Sequence, residues 1–101
     1  MNVANIQLEG LYLAIASINE MLVKKGLVSR EEIDLALRRA EQNALGDYRT
    51  EDMSPAERDA MAFPARLLAA ANNSAGDDFI PPFSELAKLV GQTKDKYPDQ
   101  G

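Results

Sequence analysis

Residues 11–41 read LYLAIASINEMLVKKGLVSREEIDLALRRAE, and this stretch decides the fold. Together with Leu8, the residues Leu11, Ile15, Ile18 and Leu22 recur at 3-4-3-4 spacing, which puts them on one side of a helix. Lys24 and Lys25 suit the negative end of that helix, and Gly26 can adopt the left-handed cap that stops it. Ser29 followed by Glu32 is a capping box that starts a second helix. Val28 and Ile33 stand where a hydrophobic staple needs them. The connection Gly26-Leu27-Val28 is so short that the two helices are expected to form an antiparallel hairpin.

The first helix is expected over about 4–25. Gly10, Ala14 and Met21 widen its apolar seam on one side, and Tyr12, Ala16 and Val23 on the other. Polar residues keep a narrow strip, chiefly Glu9, Ser17, Glu20 and Lys24. A helix that is apolar nearly all round is buried nearly all round. It is therefore expected either at the centre of the domain or against another subunit across a two-fold axis. Leu8, Leu11, Tyr12, Ile15, Ile18, Met21 and Leu22 are the candidate interface residues.

The second helix is expected over about 30–45, with Ile33, Ala36, Leu37, Ala40 and Ala44 as its apolar stripe. Asp34 and Arg38 pair at i, i+4 on its outer side. Ser54-Pro55-Ala56-Glu57 gives a second capping box with proline in the first helical position. The third helix then runs to about 72. Pro64 lies inside it, yet Ala56, Ala60, Phe63, Leu67 and Ala71 stay in phase across it, which favours one kinked helix over two. After Pro81-Pro82 a fourth helix, about 83–95, buries Phe83, Leu86, Ala87 and Val90. The reading is a small all-α four-helix domain over 1–96 with a central apolar first helix and a flexible tail at 97–101.

Composition agrees. Of 101 residues 46% are apolar, and Ala supplies 15 of them against four Val, five Ile and two Thr, which favours helix over strand. There is no Cys, His or Trp. Thiolate nucleophiles, Cys-based zinc sites, iron–sulfur clusters and imidazole general bases are therefore excluded. The net charge of −5 gathers in residues 47–80, which carry −4, so the chain lacks the basic footprint of a duplex binder. No basic segment precedes the first apolar run, and the uncharged window Gly10 to Asn19 is short for a membrane span. The expectation is a cytoplasmic protein without cofactor, metal, nucleic-acid, membrane or small-molecule partner.

Candidate sites were weighed against structural roles. Arg30, Arg38 and Arg39 point in different directions around their helix and sit among Glu31, Glu32 and Asp34, unlike a DNA-recognition helix. Glu31, Glu32 and Asp34 are the candidates for a carboxylate-only enzyme, but first-turn acids already serve the helix dipole and cap. Asn72 to Asp78 lacks the alternating order of a calcium loop, with Phe83 where the closing Glu would stand. Asn72-Asn73-Ser74 is a glycosylation sequon by pattern.

The stretch Leu11 to Glu41 resembles the helical hairpin near the N-terminus of nitrile hydratase β subunits and related accessory chains. The likeness rests on the apolar helix ending in Leu22-Val23, on Lys25-Gly26-Leu27-Val28, and on Ser29 with the Arg30-Glu31-Glu32-Ile33-Asp34 start. It covers about 31 residues, and similar hairpins occur in N-terminal domains of secretion ATPases. In that family the metal is held by cysteines of the α subunit, and the β subunit carries a β-barrel half. This chain has no cysteine and no length for the barrel, so no metal-contacting residue carries over. The resemblance implies subunit docking rather than catalysis. From the residues themselves, the leading expectation is a non-catalytic protein–protein interaction module, a homodimer or a partner of another protein.

Overall fold

A computed structural model describes residues 3–46, 51–74 and 80–93. It contains α1 (Val3–Lys24), α2 (Arg30–Leu45), α3 (Pro55–Ser74) and α4 (Phe83–Thr93), with no strand among the described residues. The all-α four-helix domain is therefore as the periodicity requires. Of the acidic stretch expected as a loop at 47–53, residues 47–50 lie outside the described residues, as do 75–79, residues 94–95 of the expected fourth helix and the 97–101 tail.

Local chemistry accounts for each helix end. The Ser29 hydroxyl accepts from the Glu32 N–H at 3.0 Å, and the Ser29 N–H donates to Glu32 Oε1 at 2.9 Å. Ser54 and Glu57 repeat the arrangement at 3.1 and 2.9 Å. Each box satisfies two N–H groups that the helix start leaves without partners. α1 ends in a Schellman motif: the Leu27 N–H reaches the Leu22 carbonyl and the Gly26 N–H the Val23 carbonyl, both at 3.0 Å. Gly26 takes φ +74 there, a left-handed backbone that side chains disfavour. α3 runs unbroken through Pro64, the single-helix alternative.

The core differs from expectation in its centre. α3 packs against each of the other helices and supplies Ala62, Leu67, Leu68 and Ala71 to the interior. α4 adds Leu86 and Val90, and α1 adds only Ala16 among its apolar residues. The central helix is α3, not α1. Alanines at 62, 65, 69, 70 and 71 give α3 small faces on several sides, so neighbours can approach it closely. α2 correspondingly lies along α3, not α1, despite the short connection. In its expected stripe Ile33, Leu37 and Ala44 are half-buried, while Ala36 and Ala40 are exposed.

Because nothing lies within 4 Å of a β-carbon built at Gly26, replacing it tests backbone conformation alone. Gly26→Ala should lower stability by about 1–2 kcal/mol, measured by urea denaturation, through the left-handed φ.

Candidate functional site

One side of α1 is held by polar groups rather than by its leucines. Glu20 is only 8% exposed although charged, and it faces Arg30 at the first position of α2. The guanidinium grips both carboxylate oxygens, Nη2 to Oε1 at 2.7 Å and Nη1 to Oε2 at 2.9 Å. Nη1 also donates to the Asn72 carbonyl at 3.0 Å, and the Asn72 side-chain amide donates back to the Arg30 carbonyl at 3.1 Å. Three helices thus meet in one clasp. A bidentate Arg–carboxylate pair is strong and directional. The Glu20 hydrogen bond in particular raises the pKa of Arg30, keeping it charged.

That clasp turns the Glu20 and Ala16 side of α1 inward. At about 100° per residue, Leu11 and Ile18 then fall roughly on the opposite side. They are 52% and 53% exposed, and Val3, Leu8 and Met21 are open beside them; Ile6, also exposed, lies off this face. Ile15 and Leu22 are half-buried at the margin. Of the candidate interface residues Tyr12 and Ile15 pack against the core, and the Tyr12 ring meets Phe63 and Phe83 at centroid separations of 6.0 Å. The open face from Val3 to Met21 displays no charge except Glu9 at its packed edge. Its small residues Gly10 and Ala14 are exposed, and nothing approaches within 4 Å of a β-carbon built at Gly10. By length and composition α1 is also apolar enough to cross a membrane.

The carboxylates proposed for catalysis are separately engaged. Glu32 closes the capping box, and Glu31 is exposed. Asp34 accepts from Arg38 Nε at 2.7 Å, which holds its carboxyl below the usual 3.8. Arg39 is exposed. Arg66, which sequence reasoning passed over, joins Glu41 of α2 at 2.7 Å and Asp59 of its own helix. Burial works against its charge, and the two carboxylates more than offset this, raising its pKa. Its signal in the sequence was the Asp59/Arg66 spacing of seven, which is two helical turns on one face. No group of three or more metal-ligating side chains occurs among the described residues. A groove of about 540 Å³ between α2, α3 and α4 is lined in part by Arg38 and Arg66, and acids already neutralise both.

Asn72, met in the sequence as part of a sequon and a calcium-like loop, is 5% exposed and spends its amide on Arg30. Its burial withdraws it from modification in the folded state. No family model, curated protein or solved structure matches the chain significantly, so the likeness to nitrile hydratase β subunits stands on residues 11–41 alone.

Two measurements test this arrangement. Arg30→Ala should cost about 2–3 kcal/mol, less than the 3–5 of a fully buried pair because the Arg30 side chain is 35% exposed. Arg30→Lys should recover little of it in the same denaturation assay, since an ammonium cannot grip both oxygens at once. Acid should weaken the fold through the carboxylates whose folded pKa is depressed. Asp34 lies below 3.8 through Arg38, and Glu57 below 4.5 through the Ser54 backbone N–H. Their stabilisation is complete above those values and is lost as pH falls through the lower folded ones. The double variant Asp34→Asn, Glu57→Gln should therefore show a shallower fall in melting temperature below pH 4.5.

Proposed function

We propose that the protein is a non-catalytic interaction module that self-associates through α1, forming a homodimer in the cytoplasm. The observation that carries this reading is the open apolar face of α1: Val3, Leu8, Leu11, Ile18 and Met21. At about 100 Å² apiece they present about 500 Å², the greater part of the ~800 Å² that each partner contributes to a standard interface. A patch of that size lies at the upper end of what a typical monomer exposes, and such patches are often functional.

A second copy is the occupant that fits. The face carries almost no charge, so docking strips few ions of water. It is also self-complementary. A two-fold axis between Ala14 and Ile15 sets Leu11 of one copy beside Ile18 of the other, and Leu8 beside Met21. Gly10 and Ala14 allow the helices to approach closely at the centre, and antiparallel helices oppose their dipoles favourably.

The length and apolarity of α1 favour a second reading, insertion in a bilayer. Spanning would withdraw Tyr12 and Ala16 from their packing and part Glu20 from Arg30, costs that a homodimer avoids.

Light scattering behind a sizing column should give twice 11.1 kDa at micromolar concentration for the wild-type chain. Leu11→Glu and Ile18→Glu should give folded monomers with unchanged helical circular dichroism, because both positions are half-exposed. A wild-type monomer that floats with liposomes would replace self-association by the membrane reading.

A further inference from the structure

Beside the open face of α1 lies a pocket of about 370 Å³ lined by Asn5, Leu8, Glu9, Tyr12, Phe63 and Phe83. Its rings form one cluster. Tyr12 and Phe83 are nearly parallel at 4°, while Phe63 stands at 64° and 61° to them, with centroids 6.0–6.3 Å apart. All three are half-buried, so the cluster is open on the pocket side. Glu9 is half-buried as well, and its carboxylate has no hydrogen-bond or ion-pair partner among the described residues. The other acids on packed faces, Glu20, Asp34, Glu41 and Asp59, each have an arginine. Glu9 is the exception, and it lines a pocket together with the three aromatic rings.

We propose that this pocket binds a methylated ammonium group, either on a free small molecule or on a side chain. Aromatic rings carry negative charge on their faces and attract cations, most of all cations with weakly held water. An ammonium clothed in methyl groups meets the apolar ring surfaces and Leu8 without losing strong hydrogen bonds. The carboxylate of Glu9 balances its charge, and Asn5, one turn earlier, leaves a polar edge for whatever the ammonium is attached to. A bare apolar ligand would leave the Glu9 carboxylate desolvated and unpaired, so charge decides the selectivity.

Titration of the full chain with tetramethylammonium, choline and Nε-trimethyllysine, followed by NMR, tests this. At least one probe should bind with Kd of about 1 mM or tighter and shift the ring signals of Tyr12, Phe63 and Phe83. The stronger of choline and trimethyllysine identifies the free or side-chain source. The neutral isostere of choline, 3,3-dimethylbutan-1-ol, should bind about tenfold more weakly, and Glu9→Gln should weaken choline by a similar factor. Equal binding of the neutral isostere, or no shift at the rings with any probe, overturns the proposal. The same titration on Leu11→Glu, which leaves the pocket lining intact, separates this proposal from self-association: ammonium binding is expected to persist in the monomer.

Discussion

The contact between Glu20, Arg30 and Asn72 fixes how α1 is turned, and the rest of the surface follows from it. A lone carboxylate near the interior would be costly, because desolvation penalises the charged form. Arg30 removes that penalty with two parallel hydrogen bonds, and the Asn72 carbonyl occupies a further donor of the same guanidinium. The return bond from the Asn72 amide to the Arg30 carbonyl ties the start of α2 to the end of α3. Among the described residues no buried side-chain polar atom is left without a partner. The network is satisfied, and it permits one rotation of α1 where apolar packing alone would permit several.

The consequences divide α1 into two unlike halves. Its inner half brings Ala16 into the core, with Leu13, Ile15 and Tyr12 packed beside it and the Tyr12 ring against Phe63 and Phe83. Its outer half keeps Leu11, Ile18 and Met21 exposed. Ala16 lets α1 approach α3 closely, and α3 is itself lined with alanines. A close approach of small residues gains dispersion contacts.

Much of the architecture was legible in the sequence because local rules set it. Capping boxes at Ser29 and Ser54, the stop at Gly26 and the phase of residues across Pro64 depend on neighbours a few positions apart. The helix ends they mark agree with the structure to within a residue or two over the described segments. Which helix occupies the centre was not legible, since it depends on Arg30 meeting Glu20, 10 positions before it, and Asn72, 42 positions after it. Periodicity shows that a face is apolar and leaves open what covers it. The 3-4-3-4 spacing places Leu8, Leu11, Ile15, Ile18 and Leu22 along one seam, while Tyr12 beside it has its ring in the aromatic cluster. Glu9 and Glu20 looked alike in the sequence, two acids on one narrow strip. Only their surroundings, an arginine for one and three rings for the other, tell them apart.

The order of the helices also has a consequence during synthesis. Fifty residues separate Lys24 at the end of α1 from Ser74 at the end of α3, the helix that α1 packs against. At roughly 5–20 residues per second, α1 leaves the ribosome about 3–10 s before its cover is complete. During that interval Tyr12 and Ala16 are as open as Leu11 and Ile18, and Glu20 waits only the short time needed to make Arg30. The nascent chain thus offers its most apolar helix to chaperones, or to a neighbouring copy on the same message, before its own core exists to compete.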